Sequence, residues 1–436
     1  MHHALPGTII DDGEYERIGR KIANKLHRSP IAAVTVGRQL QRNRRKSFWE
    51  ATANNDVLNE TMGALWWSYQ QLAVDIRPCF AYCSTFPRGY KLKRDQLVRI
   101  WIAQGFVKTG SDAAEELEDV GERYFDELLT FSFLQVQRTI FGTETKAFTI
   151  HDLLHELAER VAGCDFHRIG LDWSPKDIPQ GVRHVFIATN NVAEIAENYL
   201  DLGNLCTLII KEEHLTDTDR NHDLEKVFES LFMRMTKLRV LIVELNHKTK
   251  GSFSVPASID QMKHLRYFRF KYKRGSTWYR LILPSTMSKL YHIQTIEVLP
   301  RYCEVTRPED MSNLIHLRHV SRSLIFPNVG RLTSLQTLPR FRVCKERGYE
   351  LKQLKHLNKL RGTLMIEDLG IVRSKEDAIE AHLTQKKGVT KLDLSFFGYW
   401  RRDQDIVAEV FEGLLPPRRS SGARYLVLRM SIIKVS

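Results

Sequence analysis

Two histidines four residues apart, His151 and His155, are the first side chains in this 436-residue sequence that invite chemistry. That spacing puts both imidazoles on one face of a helix, as a metal site would require. No third ligand stands at a motif spacing from them, so no metal centre is expected. Asp152 and Glu156 share a neighbouring face, where paired acids read as solvated or capping groups, and nothing nearby suggests a hydrolase. Neither a Ser-centred elbow nor a Cys/His arrangement supports nucleophilic catalysis. The patterns GxxxxGK[ST] and GxGxxG are both absent, so the sequence has no phosphate-cradling loop. The chain is not expected to be an enzyme.

A second candidate is KHLRYFRFKYKRG, Lys263 to Gly275, which interleaves cations with aromatics in the manner of single-stranded nucleic-acid surfaces. Its register coincides with one copy of a repeat described below. Leu265, Phe268 and Phe270 then point inward, leaving Arg266, Tyr267 and Arg269 on the concave face, where with Arg239 they would meet an acidic partner. The formal charge of +13 is concentrated in this region. Between Leu231 and Arg301 there are 14 Lys and Arg against Glu244, Asp260 and Glu297, whereas Asp112 to Glu127 holds eight acids and only Arg123.

These residues need elements to hold them. The chain is too long for one core of ordinary size, so two or three domains are expected. No apolar run reaches the roughly 18 residues that would span a membrane, and MHHALPGTIIDDGEY lacks the layout of a secretory signal. The expected compartment is the cytoplasm, with the nucleus as the alternative. Six cysteines without a CxxC pair argue against a disulfide framework or a structural zinc. Cys79 and Cys83, one helical turn apart, read as buried thiols.

From Asp11 or Asp12, the apolar positions Tyr15, Ile18, Ile22 and Leu26 predict a helix, and Ser29-Pro30 breaks it. A helix restarts at Ile31 to Leu40 with Pro30 in its first turn; a basic polar stretch, Arg42 to Lys46, follows; helical segments resume from Asn59 to Leu72. The next helix starts near Asp75 as cap. Lys93 to Gln104 forms another with Gly105 as its stop, and Glu115 to Thr130 a third, with Val120, Tyr124, Leu128 and Leu129 as its core stripe. Phe133 to Ile140 and Lys146 to Ile150 read as a hairpin around Phe141-Gly142-Thr143, and His151 to Ala162 returns to helix before Gly163. Helices, a hairpin and a further helix of these lengths suggest a winged-helix domain, a fold that often binds DNA.

From Val182 the period changes. The pattern L-x-x-L-x-L, with other apolar residues allowed, begins at Val182, Leu205, Leu238, Leu265, Ile293 and Val389, with looser copies at Leu317, Leu335 and Leu360. Arg322 and Arg340 occupy the third position of the first two loose copies. The intervals bracket the period of leucine-rich repeats, whose strands stack into a solenoid. The last triplet, near Leu426 and Leu428, is followed by only eight residues without a polar terminal repeat, which suggests a truncated product or a missing continuation.

CFAYCSTFPRGYKL (Cys79 to Leu92) and IHDLLHELA (Ile150 to Ala158) are the most specific blocks in the chain. In order and spacing they resemble the second half of the nucleotide-binding switch of plant NLR disease-resistance proteins of the coiled-coil class. CFAYCSTFP is similar to the motif common to the non-TIR class, and IHDLLHELA to the MHD motif. EYERIGRKIANKLHRSPIAAVTVG (Glu14 to Gly37) looks like the helix leading into the GLPL-type segment, and the repeats lie where the family places its LRR domain. The resemblance implies a multidomain α+β chain: a helical ARC subdomain over 1–87, a winged-helix ARC subdomain over 88–163, and an α/β leucine-rich-repeat solenoid over 164–436. It implies an ADP/ATP switch in which Pro30 packs near the adenine, His151 reaches the diphosphate and Asp152 stabilises the turn of the motif. Arg28 stands where the family has Gly, Ile31 where it has Leu and Ile150 where it has Met, and no P-loop precedes Glu14.

The leading expectation is therefore an innate-immunity receptor fragment of NLR type, non-enzymatic, acting in pathogen recognition and defence. Its partners would be proteins: a pathogen effector or host guardee with an acidic surface, or another NLR. The alternatives are a winged-helix DNA-binding protein with a repeat tail, which the acidity of Asp112 to Glu127 opposes, and a non-functional truncated paralogue.

Overall fold

The computed structural model describes residues 12–110, 115–137, 146–171, 181–189, 203–212, 221–246, 251–272, 279–299, 304–306, 308–396, 404–414 and 425–429. The chain divides into two compact units, Met1–Arg168 and Ile169–Ser436.

The first unit opens with helices α1 (Asp12–Lys25), α2 (Pro30–Arg42), α3 (Lys46–Asn54) and α4 (Thr61–Gln70). Ile18, Ile22 and Leu26 of α1 meet Val36 and Leu40 of α2, Trp49 and Ala53 of α3, and Ala64 of α4 in one core. The helix α3 has no counterpart in the sequence reading, which has a basic polar stretch at its start. Its apolar stripe consists of little more than Trp49 and Ala53, too short to set a period. It is stabilised by partners outside the helix: the Trp49 ring stands edge-on to Tyr15 with centroids 5.1 Å apart, and its N–H donates to Asn43 O at 3.0 Å.

Between α1 and α2 the backbone of His27 and Arg28 turns left-handed, with φ of 44° and 59°. A side chain there costs about 1 to 2 kcal/mol. This is the physical reason why Gly suits the position that Arg28 occupies.

Next come α5 (Arg77–Tyr82), α6 (Arg94–Gln104), α7 (Leu117–Thr130), strands β1 (Gln135–Gln137) and β2 (Ala147–Thr149), and α8 (Asp152–Ala162). Helix α5 is capped by Ile76, without a side-chain cap, rather than by Asp75. Gly121 lets α7 close on α6, since a Cβ there would lie 2.7 Å from the Val98 side chain. The buried residues of α7 include Val120, Phe125 and Leu128; Tyr124 and Leu129, expected inward, are only partly buried. Strands β1 and β2 pair antiparallel, and Leu92 joins β2 through two backbone hydrogen bonds to Phe148. The turn expected at Phe141 to Thr143 lies outside the described residues. Phe148 stands edge-on to Phe125 at 4.8 Å, so the hairpin is packed on the helical core.

A strand β3 (Phe166–Ile169) spans the boundary, and the second unit follows as a parallel stack. Strands β4 (His184–Thr189), β5 (Thr207–Glu212), β6 (Val240–Leu245), β8 (Tyr267–Tyr272), β10 (Thr295–Leu299) and β12 (His319–Val320) are neighbours in that order. A short parallel sheet of β7 (Gly251–Ser254), β9 (Tyr279–Ile282) and β11 (Glu304–Thr306) alternates with them along the chain. Every first, second and third apolar residue of the six strict repeat copies faces one continuous core, Leu392 being only partly buried there. Strand β12 stops at Val320, before Arg322, because a guanidinium cannot enter the apolar slot its position would occupy. After Pro339, Phe341 takes the core slot in place of Arg340, and β13 (Arg340–Arg342) begins a second sheet with β14 (Arg361–Glu367), β15 (Gly388–Ser395) and β16 (Tyr425–Arg429).

Candidate functional site

The two blocks singled out in the sequence meet in space. Helix α8 begins at His151, whose backbone is extended (φ −63°, ψ 142°) and whose Nδ1 accepts the N–H of Leu153 at 3.2 Å. His151 is thus the N-cap of α8, an exposed ring that satisfies one of the orphan donors of the first turn. Asp152 follows it, exposed, where a negative charge complements the positive end of the helix. The apolar residues Leu154, Leu157 and Ala158 are buried and set which face of α8 turns inward.

That same face carries His155, and here the two histidines part. His155 is 2% exposed, and its Nε2–H donates to the carbonyl of Phe86 at 2.8 Å. Phe86 closes the CSTFP turn. The Nδ1 lone pair makes no hydrogen bond and stands 3.2 Å from Glu159 Oε1. Glu159 is in turn held by Arg168 and by Arg88, the latter at 3.3 Å, and Arg168 also donates to the carbonyl of Ser84. Burial depresses the His155 pKa below its usual value, with Arg168 adding to that and the Phe86 bond opposing it. Burial also opposes ionisation of Glu159, but Arg168, with Arg88 and His155 adding to it, lowers its pKa. The node is therefore a neutral imidazole beside a carboxylate neutralised by two arginines. Sequence spacing made His155 a partner of His151; only the position of Phe86 shows its role. Among the described residues no cluster of three or more His, Cys, Asp or Glu could hold a metal ion.

Pro30 occupies the first turn of α2 and is exposed. No hydrogen bond among the described residues joins α2's first turn to His151 or Asp152.

In the second unit the strand residues opposite the core align in columns. Tyr267 is level with Val240 and Thr295, and Arg269 with Ile242 and Glu297. The reading that left Tyr267 and Arg269 exposed for a partner is corrected: Tyr267 is fully buried and Arg269 is 5% exposed. Their polar groups are used internally. The Tyr267 hydroxyl donates to Glu297 at 3.0 Å, and Arg269 pairs with Glu297 at 3.2 Å and with Glu244 at 3.8 Å. Lys271 also reaches Glu244, at 3.1 Å. Burial would depress the Arg269 guanidinium, but Tyr267 and the two carboxylates hold its pKa above the ordinary value. A cation in low dielectric needs such partners, so the ladder places Glu297 and Glu244 in the flanking strands.

Arg239 and Arg266 remain half-buried one step earlier in their repeats. Backbone bonds from Arg239 N to Cys206 O and from Arg266 N to Arg239 O, both 2.9 Å, stack them in adjacent repeats. Burial and the charge of Arg239 depress the Arg266 pKa. His184, next to the same column, is pushed down to about 3 by burial and by Arg183 and Arg239.

Fold and site together define a winged-helix domain followed by leucine-rich repeats. Residues 85–158 match the family model of the disease resistance protein winged helix domain, and residues 351–421 that of the R13L1/DRL21 LRRs. The chain is 29% identical over 416 residues to the putative disease resistance protein RGA1 of Solanum bulbocastanum, covering 94% of this chain and 38% of that protein. It is 31% identical over 417 residues to the disease resistance protein RGA2 of the same species, and 30% identical over 428 residues to a putative disease resistance RPP13-like protein 1 of Arabidopsis thaliana; each match covers 92% of this chain and 38% of the relative. Over most of its length the chain is similar to plant disease-resistance proteins, and it spans about two fifths of the length of these relatives. No helix among the described residues is long and apolar enough to cross a membrane.

Replacing His155 by Ala should cost about 1 to 3 kcal/mol by leaving the Phe86 carbonyl without its donor. Because the folded-state pKa lies below the unfolded value of about 6.5, the unfolded chain binds more protons on acidification. The contribution is complete above that pH and declines as pH falls below it. Urea unfolding of the first unit across this range should show that slope in the parent and lose it in His155→Ala. In the second unit, Arg269→Ala should cost about 3 to 5 kcal/mol by stranding Glu297 and Glu244, whereas Arg266→Ala should cost less than about 1 kcal/mol; equal effects in chemical denaturation would contradict the burial difference.

Proposed function

We infer that this chain works as the recognition and regulatory portion of a plant innate-immunity receptor, without enzymatic activity of its own. The observation that carries the reading is the succession, along one chain, of a disease-resistance winged helix and R13L1/DRL21 repeats, with resistance proteins as relatives over nearly all of it. In this reading the first unit comprises the two ARC subdomains and senses ADP or ATP. The cap geometry of His151 supports it. With Nδ1 accepting from Leu153, a neutral ring carries its proton on Nε2, and that N–H on an exposed ring suits a diphosphate oxygen. Asp152 has no donor for a phosphate and would serve only to hold the start of α8, while Pro30 offers an exposed apolar ring of the kind a base packs on. The nucleotide would supply the state-dependent charge that favours one arrangement over the other. The phosphate cradle would come from residues outside this sequence or from another NLR chain.

The alternative of a DNA-binding winged helix is disfavoured by the relatives and by charge. Helix α7 presents Glu122, Asp126 and Glu127, the first two paired with Arg94 and the third with Arg42, so a phosphate backbone would meet carboxylates there.

The partner of the repeats would be an acidic protein segment, met by Arg239 and Arg266 rather than by the buried Arg269. Calorimetric titration of ADP into the monodisperse chain should give binding that His151→Ala abolishes; a well-folded chain that takes up no ADP removes the nucleotide roles of His151, Asp152 and Pro30. For the repeats, a fluorescent polyglutamate peptide should bind the parent at least about tenfold more tightly than Arg239→Glu/Arg266→Glu. Equal anisotropy curves would eliminate that face as the acidic-partner site.

A further inference from the structure

The loop between α2 and α3 lines a cleft of about 680 Å3 that the nucleotide and partner readings do not use. A cleft of that volume falls within the usual range of small-molecule sites. Arg42, Arg44 and Arg45 line it together with Gln39, Asn43 and Phe48, and Gln71 closes it from the end of α4; none of the lining residues is acidic. Among the described residues Glu127 accepts from Arg42 at 2.8 Å, one carboxylate that three guanidiniums outnumber. No ion pair or side-chain hydrogen bond among the described residues occupies the guanidinium of Arg45.

The backbone that presents these cations is fastened from three sides. The Trp49 indole N–H donates to Asn43 O at 3.0 Å, the Tyr15 hydroxyl donates to Arg44 O at 2.9 Å, and the Arg45 N–H donates to Asn43 Oδ1 at 3.3 Å. Fastened, the loop holds three cations within four residues and removes part of the ordering cost of binding. Arg45 is also the N-cap of α3, and no side chain caps that helix, so its first-turn N–H groups add donors and partial positive charge at this end. The carboxyl end of α2 opposes this by about half a charge, which three guanidiniums outweigh. Gln39 does not compete for the ligand, because its amide nitrogen already donates to Ser68 O at 3.2 Å.

We propose that this cleft is a binding site for a small multivalent phosphate compound, held by Arg44 and Arg45 with Arg42 shared between the ligand and Glu127. Guanidinium forks pair with phosphate oxygens two at a time, which favours clustered phosphate over a single carboxylate. Phe48 gives the ligand one apolar wall. The same chemistry is offered by a soluble oligophosphate and by a phosphorylated inositol lipid headgroup.

The test uses the full chain with inorganic tripolyphosphate in calorimetry at low salt, and phosphatidylcholine vesicles with and without a phosphoinositide in co-sedimentation. The variants are Arg44→Glu/Arg45→Glu, whose fold is checked by circular dichroism and thermal midpoint, and Arg45→Gln, which removes only an exposed charge. His151→Ala serves as control for the separate nucleotide face. Tripolyphosphate binding that weakens at least about tenfold in the double variant, falls with added salt and persists in His151→Ala supports a soluble ligand. Sedimentation with phosphoinositide vesicles alone, lost in the double variant, supports the headgroup. Binding of neither probe, or binding that the arginine variants leave unchanged, overturns the proposal.

Discussion

The donation from His155 to the carbonyl of Phe86 is the contact on which the first unit depends, because it joins two segments separated by 69 residues through a buried polar pair. A buried carbonyl at the end of a turn must find a donor. The chain supplies it from the inner face of α8, which Leu154, Leu157 and Ala158 turn inward, and the bond ties that face to the turn at Phe86. With His155 turned in, His151, one turn earlier, is brought to the rim as the cap. Glu159 and Arg168 complete the node from the next turn of α8 and from β3, and Arg88 from the turn after Phe86. The conspicuous residue of the block is thus positioned by a less conspicuous one.

The second unit depends on a different constraint, the parallel ladder. Each strand leaves half of its side chains outside the core, and neighbouring repeats put those side chains about 4.8 Å apart. At that spacing charges cannot be placed independently. Arg269 survives burial because Glu297 and Glu244 lie in the flanking strands, and Arg239 and Arg266 stack because they hold the same place in consecutive repeats. Where a guanidinium falls on a core slot, at Arg322 and Arg340, the ladder yields instead: one strand ends early, another shifts its register, and a second sheet begins. The displaced arginines find a shared acid, Glu367, at 3.8 Å and 2.6 Å.

Much of this order was legible in the residues themselves. The triplets beginning at Val182, Leu205, Leu238, Leu265, Ile293 and Val389 state which side chains enter the core, because a strand with one buried face must alternate. The helices α6, α7 and α8 and the hairpin after α7 follow from stripes and stop signals of ordinary strength. Helix α3 was not legible, since its stability comes from Trp49 meeting Tyr15 and Asn43 rather than from a period of its own. Burial of Tyr267 and Arg269 was not legible either: alternation says which face a residue occupies, but not whether the neighbouring strands carry the acids that will cover it.

Taken alone, the sequence determined the kind of protein this is, a winged helix followed by leucine-rich repeats, because apolar periodicity and turn residues are local properties that do not wait for folding. It also placed His151 and Asp152 at the start of a helix. The tertiary structure decided which polar groups are spent on the fold and which remain for a partner. That division depends on through-space distance and desolvation: it turned His155 and Arg269 inward to carbonyl and carboxylate partners, and left His151 and Arg45 exposed.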